Sequence, residues 1–309
     1  MQALPIRPGR RTLDRESWPG GLSVGGPVCY VALQIGGPQP APPHRVLQLT
    51  THSKASRMLP ERSFREMLRQ GTPLVGTVLT MPSAAVAEVL SAVGYDWLFV
   101  DGEHGPMGIE AVTAILQAAQ HRCPCLVRIP ALGEVWVKRA LDAGADGIIA
   151  PLVNSAEDAR RVVAWAKYPP AGRRSVGGGR AHGYGLTFDR YIRSANDRVA
   201  VIVQIEHVAG ADRIASILAV AGIDAVFIGP YDLSGSLGIP GRIDAPEVQA
   251  HIREVRDACL AQGKPLGIFT AEAESARLYI EQGFTLLAVG ADAVHLGQAA
   301  EASLARLRA

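Results

Sequence analysis

Short apolar runs alternate along the chain with longer segments in which apolar residues recur at helical spacing. Eight runs have the length and composition of buried strands, and they cover residues 75–80, 97–100, 126–129, 147–153, 199–206, 225–229, 266–270 and 286–290. Amphipathic helical segments lie between them, including residues 83–93, 135–143, 155–167, 247–262 and 272–282. This alternation predicts an α/β protein with a parallel sheet covered by helices, and eight strands are the number of a (β/α)8 TIM barrel.

A glycine precedes four of the predicted strands, at Gly94, Gly144, Gly222 and Gly283. Glycine adopts the left-handed backbone conformation without steric cost, so it readily ends a helix and turns the chain. The repeat therefore predicts four helix-to-strand turns of one kind. A doubly wound sheet is the alternative, but its glycine-rich first turn is not seen here.

The first 50 residues contain 8 of the 21 prolines and 7 of the 33 glycines in this 309-residue chain. They show no sustained apolar period, so we predict that residues 1–57 are a disordered or loosely packed extension. Residues 58–309 form the predicted barrel domain, close to the roughly 250 residues typical of this fold. Met58 is a candidate for the biological start of the chain.

Charge and cysteine usage exclude several classes of protein. The formal net charge is +2 with no block of one sign, which argues against nucleic acid as a partner. No run of 18 apolar residues is present, so no membrane span is expected. Four cysteines, Cys29, Cys123, Cys125 and Cys259, are too sparse for a disulfide framework and are interpreted as inert buried thiols. We therefore expect a cytoplasmic protein.

Carboxylates stand where two neighbouring predicted strands end. Glu206 closes one strand and Asp232 follows the next, so the two are expected to be neighbours at the barrel mouth. Gln204 lies two residues before Glu206 and therefore shares its face of the strand. Two carboxylates suit Mg2+ or Mn2+ better than a closed zinc site. The alternative is that Glu206 pairs with a barrel arginine and Asp232 caps the next helix.

Acid-base and cationic groups end two further strands. Asp101 and His104 are a candidate dyad, because a carboxylate beside an imidazole fixes its tautomer and raises its basicity. Their pairing requires the strand to turn at Gly102. Arg128 is suited to an enolate or a carboxylate, and a buried arginine needs an anionic partner. The alternative for His104 is a purely structural role. The alternative for Arg128 is a salt bridge to Glu206 or Asp101.

Residues 169–180 read Pro-Pro-Ala-Gly-Arg-Arg-Ser-Val-Gly-Gly-Gly-Arg. The segment follows a predicted helix rather than a strand and lacks Gly-Lys-Ser/Thr, so it does not fit a phosphate-binding loop. We predict a mobile loop over the barrel mouth that brings Arg173, Arg174 or Arg180 to an anionic substrate or a neighbouring subunit.

Five motifs, in order along the chain, resemble those of the HpcH/HpaI aldolase family. They are Asp101-Gly-Glu-His104, Val127-Arg128, Lys167-Tyr-Pro-Pro-Ala-Gly-Arg-Arg174, Gln204-Ile-Glu206 and Gly229-Pro-Tyr-Asp-Leu233. The likeness covers about residues 60–305. These are class II pyruvate aldolases of the phosphoenolpyruvate/pyruvate barrel superfamily, such as 4-hydroxy-2-oxoheptanedioate and 2-keto-3-deoxy sugar acid aldolases.

The resemblance implies reversible cleavage of a 4-hydroxy-2-oxo acid to pyruvate and an aldehyde through a metal-bound pyruvate enolate. Glu206 and Asp232 would hold the divalent metal, Mg2+ or Mn2+, with Co2+ a further candidate. Arg128 would stabilise the enolate. Asp101 and His104 would form a dyad that moves protons through a metal-bound water.

Substrate binding and assembly also follow from the resemblance. Gln204, Gly229, Tyr231, Asp232 and Arg128 would line the substrate site, with the backbone amides of Tyr231 and Asp232 on the pyruvate carboxylate. Family members usually form hexamers that often exchange the last helix, here about residues 293–308. The expected partners are therefore a small 2-oxo acid, an aldehyde and further copies of the chain.

Two positions depart from the family pattern and bear on aldehyde specificity. His207 follows the metal glutamate where threonine is common, and Met107 stands where asparagine is common. Other superfamily activities remain alternatives: a CoA-ester lyase of the citrate lyase β-subunit type, and an oxaloacetate decarboxylase or macrophomate synthase-like enzyme. Residues 75–80 lack the Leu-Phe-Val-Pro-Gly strand of the CoA-ester lyases. A non-catalytic barrel that binds a keto acid is the alternative outside enzymes.

Overall fold

Eight parallel strands close into a barrel in chain order, and the last strand pairs with the first. The computed structural model describes residues 62–120 and 122–308. The predicted extension of residues 1–57 and the candidate start at Met58 lie outside the described residues. The strands are β1 (Leu74–Leu79), β2 (Trp97–Asp101), β3 (Cys125–Arg128), β4 (Gly147–Ala150), β5 (Ala200–Ile205), β6 (Ala225–Ile228), β7 (Leu266–Thr270) and β8 (Leu286–Ala291). The prediction of a (β/α)8 barrel is confirmed.

Helices connect the strands and surround the barrel. In the described part of the chain they are α1 (Phe64–Arg69), α2 (Ala84–Val93), α3 (Ile109–Ala119), α4 (Glu134–Asp142), α5 (Ala156–Ala166), α6 (Phe188–Arg198), α7 (Val208–Ala211), α8 (Ile214–Leu218), α9 (Pro230–Ser236), α10 (Pro246–Ala261), α11 (Ala273–Glu281) and α12 (Asp292–Arg308), with a 3-10 helix at Arg180–Gly185. The predicted helical segments correspond to α2, α4, α5, α10 and α11. None of the helices in these two ranges combines the length and apolar character that crossing a membrane requires.

The glycine repeat adopts the conformation expected of it. The φ angles are +112° at Gly94, +99° at Gly144, +95° at Gly222 and +93° at Gly283. Side chains other than glycine rarely adopt such angles, so each position favours glycine for a conformational reason. The predicted helix-to-strand turns are confirmed.

The strands bury both of their faces. Their inward side chains form a cluster inside the barrel that includes Leu74, Val78, Trp97, Phe99, Leu126, Ile149, Ala200, Ile202, Ala225, Phe227, Leu286 and Ala288. Their outward side chains join the helices in a second, larger cluster, the shell core. A strand buried on both faces reads as a continuous apolar run, which explains why the strands were recognisable in the sequence.

Helix α1 closes the end of the barrel at which the strands begin. Phe64 and Leu68 of α1 belong to the interior cluster and are only 1% and 2% exposed. The ring centroid of Phe64 lies 6.0 Å from that of Trp97, the first residue of β2. The side chains of Ser63 and Glu66 each accept a hydrogen bond from the other's backbone N–H, which fixes the start of the helix. The other end, where the strands finish, is therefore the barrel mouth.

The segment between α5 and β5 lies at the closed end of the barrel, so the prediction of a loop over the barrel mouth is wrong. Arg174 is buried and donates to the carboxylate of Asp142, the last residue of α4, at 2.6 Å. Arg180 donates to the carbonyl of Ala143 beside the same helix end. Arg173 is exposed, and its Nη2 atom lies 3.5 Å from Oε2 of Glu134, the first residue of α4. A segment that joins a helix end to a strand start stays at the end where strands begin.

Replacing Phe64 with alanine is expected to destabilise the barrel, because it leaves a cavity beneath the interior cluster. We expect the free energy of unfolding to fall by roughly 3–5 kcal/mol in denaturant titrations followed by circular dichroism. The control is Val89→Ala on α2, where the side chain is 64% exposed and a change within about 0.5 kcal/mol is expected. Equal stability of the two variants would contradict the assignment of α1 as the closing element.

Candidate active site

Polar residues continue the inward face of the strands at the barrel mouth. On β2 the inward position after Phe99 is Asp101, and on β5 the positions after Ile202 are Gln204 and then Glu206 just past the strand. Alternate residues of a strand share one face, so these groups point into the barrel. The side chains of Asp101, Gln204 and Glu206 are buried.

Asp101 and Arg128 form a two-pronged ion pair across neighbouring strands. They are register partners on β2 and β3, and Nε and Nη2 of Arg128 donate to the two carboxylate oxygens at 2.9 Å and 2.8 Å. Burial opposes the charge on both groups, but the hydrogen bonds and opposite charges outweigh it. The pKa of Asp101 is therefore lowered, and that of Arg128 is raised. The salt bridge from Arg128 to Asp101 that the sequence offered as an alternative is therefore formed.

Glu103 is a third carboxylate at the mouth, and sequence reasoning assigned it no role. Its Oε2 atom lies 3.2 Å from Nη1 of Arg128, but without the geometry of a hydrogen bond. Burial raises the pKa of Glu103 despite the nearby guanidinium. Its place two residues after Asp101 at a strand end was the signal that could have identified it.

His104 lies at the rim of the mouth. The chain turns at Gly102 as predicted, and Oδ1 of Asp101 accepts hydrogen bonds from the backbone N–H groups of Glu103 at 3.1 Å and His104 at 3.2 Å. The imidazole is directed outward, with 64% of the side chain exposed and Nε2 4.0 Å from Oε2 of Glu103. No hydrogen bond joins the described side chains of Asp101 and His104, because Asp101 is occupied by Arg128 and by the turn. The predicted direct pairing is therefore wrong.

Glu206 is held by two hydrogen bonds. The backbone N–H of Leu152 donates to Oε1 at 2.7 Å, and the side-chain amide of Gln204 donates to Oε2. Leu152 has a φ of +51°, which is uncommon for a residue with a side chain, and sequence reasoning did not identify it. Burial raises the pKa of Glu206 to about 7; the charges of Glu103 and Asp232 add to the rise, whereas the Leu152 N–H opposes it.

Gly229 provides the space in which Glu206 sits. A Cβ atom at this position would lie 2.8 Å from Cβ of Glu206 and 2.9 Å from Nε2 of Gln204. The φ of Gly229 is −99°, an angle open to any residue. The requirement for glycine is therefore steric rather than conformational.

Tyr231 and Asp232 occupy the first turn of α9, which begins after Gly229. Both side chains are exposed at the mouth. Asp232 makes no capping hydrogen bond within the described helix, and Glu206 has no arginine partner among the described ion pairs. Among the described residues, Glu206 therefore does not pair with a barrel arginine and Asp232 does not cap α9, which were the two structural alternatives.

Two cavities occupy the mouth. The Arg128 cavity, of about 240 Å³, is bordered by Asp101, His104, Arg128, Gln204, Gly229, Tyr231 and Asp232 together with apolar side chains of the interior. The Glu206 cavity, of about 380 Å³, is bordered by Glu103, His104, Leu152, Glu206, His207, Asp232, Gly235 and Ser236. Every residue predicted for the site therefore borders one of the two cavities, and His104 and Asp232 border both.

Of the two residues that depart from the motif pattern, only His207 reaches the mouth. Its Nδ1 atom accepts a hydrogen bond from the backbone N–H of Ala209 at 3.1 Å and so caps α7. Met107 packs against the shell core and borders neither cavity.

The residues at the mouth fit a divalent cation. Glu103, Glu206 and Asp232 bring three carboxylates to the Glu206 cavity, and the only permanent cation bordering either cavity in the described structure is Arg128. Two buried oxygens, Oε2 of Glu103 and Oε1 of Gln204, accept no hydrogen bond from any described residue. Oxygen-rich sites with excess negative charge suit Mg2+ or Mn2+.

A separate cluster lies outside the mouth. Asp212, His251 and Glu254 each have one potential metal-ligand atom, and these three atoms lie within 4.8 Å of one another. Asp212 follows α7 and the other two belong to α10, and none of the three borders either cavity. This cluster is therefore distinct from the metal site predicted at Glu206 and Asp232.

Comparison with known proteins gives a consistent result. A family model described as HpcH/HpaI aldolase/citrate lyase matches residues 77–299. A hydroxypyruvate/pyruvate aldolase of Delftia acidovorans is 42% identical over 254 residues, or 81% of this chain and 94% of that protein. A 4-hydroxy-2-oxo-heptane-1,7-dioate aldolase of Salmonella heidelberg is 40% identical over 251 residues, or 81% and 95%. The crystal structure of an HpcH/HpaI aldolase/citrate lyase family protein from Burkholderia cenocepacia aligns with a TM-score of 0.77 at 38% identity, covering 80% of this chain and 99% of that one.

Substitution of Gly229 by alanine is expected to weaken Mn2+ binding, because the added methyl group must displace Glu206 or Gln204. Changes that misplace a ligand typically lower metal affinity about 10- to 100-fold. Titration with Mn2+ followed by electron paramagnetic resonance measures the effect. Gly178→Ala is the control, since a Cβ atom there meets no atom within 4 Å. Unchanged Mn2+ affinity in Gly229→Ala would contradict a metal site at Glu206.

Affinity for Mn2+ is also expected to fall as the pH drops below about 7. The metal-free Glu206 carboxyl has its pKa raised to about 7, so below that pH a proton must leave before the oxygen can bind a cation. The dissociation constant should then rise up to about tenfold per pH unit below 7 and level off above it. Calorimetric titration across this range measures the slope. A flat profile would show that Glu206 does not bind the ion.

Proposed function

The chain belongs to the HpcH/HpaI aldolase/citrate lyase family and is an aldolase, a carbon-carbon lyase, and we propose that its barrel mouth carries out this reaction with the residues described above. The reaction is the reversible cleavage of a 4-hydroxy-2-oxo acid into pyruvate and an aldehyde. The observation that carries the assignment of the site is the buried Arg128 guanidinium, which stands among carboxylates at the strand ends. In such an arrangement the guanidinium can bind an anionic intermediate, and the carboxylates can hold a metal cation beside it.

In the cleavage direction the reaction breaks the bond between C3 and C4 of the substrate. A base removes the proton of the C4 hydroxyl, and C4 becomes the carbonyl carbon of the aldehyde. The electron pair of the broken bond moves to the 2-oxo oxygen and forms the pyruvate enolate. Protonation at C3 of the enolate then gives pyruvate.

Glu206 and Asp232 would hold the divalent ion, with Glu103 close enough to raise the pKa of Glu206 by its charge. When bound, the ion supplies positive charge that polarises the 2-oxo group and its neighbouring carboxylate. The hydrogen bonds from Leu152 and Gln204 orient Glu206 for this role. The assignment of Mg2+ or Mn2+ follows from the oxygen-only ligands.

Arg128 stabilises the enolate oxygen. Its guanidinium is fixed by Asp101 through two hydrogen bonds and stays charged, because its pKa is raised above an already high value. A cation held in place before the reaction stabilises developing negative charge without reorganisation. Asp101 acts through Arg128, as a positioning residue, rather than through the imidazole.

His104 is the acid-base group. Its imidazole stands at the rim of both cavities and is open to solvent, so it can exchange protons with bulk water as well as with a substrate hydroxyl. Oε1 of Gln204 is buried without a hydrogen-bond partner in the described structure and borders the same site, where it can accept from a substrate hydroxyl. The backbone amides of Tyr231 and Asp232, after Gly229, receive the pyruvate carboxylate.

Assembly and location belong to the same proposal. The chain forms a hexamer in which α12 packs against a neighbouring copy. Support comes from Val294, Leu296, Leu304 and Leu307 of this helix, which are exposed apolar side chains of the kind that interfaces cover. The cytoplasm is the proposed compartment, since the four cysteines of the chain are too sparse for a disulfide framework.

The enzyme is expected to exchange the methyl protons of pyruvate for deuterium in heavy water with Mg2+ or Mn2+ and without an aldehyde. Exchange needs only the enolate, so it isolates the step assigned to Arg128. Arg128→Ala should slow exchange on the order of 10²-fold, by analogy with the loss of an oxyanion donor. Proton NMR of pyruvate follows the loss of the methyl signal.

Arg160→Ala is the matched control, because Arg160 is an exposed arginine of α5 that borders neither mouth cavity. It should exchange at the wild-type rate, and a chelator should stop exchange in both proteins. A wild-type methyl signal that persists at the uncatalysed rate would favour a barrel that binds a keto acid without turning it over.

A further inference from the structure

The geometry of the Arg128 cavity points to the class of aldehyde that this enzyme uses. We infer that the aldehyde is uncharged, with a short apolar tail, and that the site discriminates against an aldehyde ending in a carboxylate. The inference rests on the proposed function, because it assigns the second substrate of that reaction.

The Arg128 cavity is lined by two chemically different sets of side chains, named here its polar and its apolar side. The polar side comprises the groups assigned above to the reacting atoms: Asp101, His104, Arg128, Gln204 and Asp232. The apolar side comprises Val78, Phe99, Phe227, Tyr231, Phe269 and Ala291, and the hydroxyls of Tyr231 and of the neighbouring lining residue Thr80 are its polar groups. The two sides meet at Phe99, whose ring centroid lies 5.1 Å from Cζ of Arg128. With the polar side occupied by pyruvate, the rest of the substrate meets the apolar side.

The two cavities offer no fixed cation for a second carboxylate. Among the described residues that border them, Arg128 is the only permanent cation, and it is already paired with Asp101 and Glu103. A tail directed instead into the Glu206 cavity would meet Glu103, Glu206 and Asp232. The charge of the ion proposed there is already shared by these three carboxylates and by the pyruvate carboxylate, so no unpaired cation is left for the tail. A carboxylate on the aldehyde is therefore unpaired in either direction, and unpaired burial of a charge is costly.

The size of the cavity favours a small tail. Its volume of about 240 Å³ is below the roughly 300–1,000 Å³ typical of sites for drug-sized ligands. Phe269 of β7 and Tyr231 close the apolar side together, with ring centroids 6.0 Å apart. Phe269 is half-buried and has no part in binding the ion or in proton transfer, so it is a position at which the tail can be tested separately.

The test compares butanal with 4-oxobutanoate as acceptors in the aldol addition of pyruvate, with Mn2+ present. The two aldehydes have the same number of carbon atoms and differ in the terminal carboxylate. We expect kcat/KM for 4-oxobutanoate to be on the order of ten- to a hundredfold lower, the scale of leaving a polar group unpaired in a buried site. Equal or better use of 4-oxobutanoate by the wild-type enzyme would overturn the inference.

Phe269→Arg should reverse the preference, because it supplies a cation where the tail lies. We expect the ratio of kcat/KM for 4-oxobutanoate to that for butanal to rise at least about tenfold, the scale of one charged hydrogen bond. Leu186→Arg is the matched control, because it adds the same cation at a position that is 92% exposed and borders neither cavity, and it should keep the wild-type ratio. An unchanged ratio in Phe269→Arg would place the tail elsewhere and overturn the assignment of the apolar side.

Deuterium exchange of pyruvate separates the two proposals. Exchange of pyruvate by Phe269→Arg shows that its site is folded and makes the enolate, so the ratio of the two aldehydes then tests the tail alone. Exchange by the wild-type enzyme together with a preference for 4-oxobutanoate would reject this inference and leave the proposed function standing. Loss of exchange in the wild-type enzyme would reject the proposed function itself.

Discussion

The charge of a buried guanidinium governs the arrangement of the barrel mouth. Arg128 is held on β3 with little access to solvent, and a cation in such a place must have anionic partners. Asp101 supplies two hydrogen bonds from the neighbouring strand, and Glu103 stands beside it. Because Asp101 is committed to this ion pair and to the turn that follows it, the imidazole of His104 is directed towards the rim.

The same constraint explains the other side of the mouth. Arg128 is too heavily paired to neutralise Glu206, whose pKa is raised to about 7 chiefly by burial. The side chains of the site therefore carry more negative than positive charge, which the proposed divalent cation would compensate. Gly229 and Leu152 hold Glu206 in place, one by leaving space and the other by donating a backbone hydrogen bond.

Residues proposed for the chemistry and residues proposed to shape specificity occupy neighbouring inward positions of the barrel strands. Phe99 lies one inward position before Asp101 on β2, Phe227 pairs in register with Gln204, and both rings belong to the interior cluster. The apolar side of the Arg128 cavity is thus a continuation of the barrel interior. Selection against charged aldehydes would then arise from the same packing that stabilises the fold.

The number and order of the strands, the glycine turns and the polar residues at the strand ends were all predictable from the amino-acid sequence. These features are local: a strand buried on both faces is a continuous apolar run, and a residue two positions further on shares its face. Parallel strands also bring their carboxyl ends together, so the positions of Glu206, Asp232 and Arg128 at strand ends predict that they are neighbours.

Which of these neighbours contact one another depends on long-range packing. The partner of Asp101 is Arg128 rather than His104, because the competition between a strand neighbour and a turn residue depends on distances that spacing does not contain. Arg174 and Arg180 bind the end of α4 at the closed end of the barrel, a long-range pairing with no local signal. Leu152 reaches Glu206 across 54 positions of the chain through its backbone, whose bonding partners no side-chain pattern reveals.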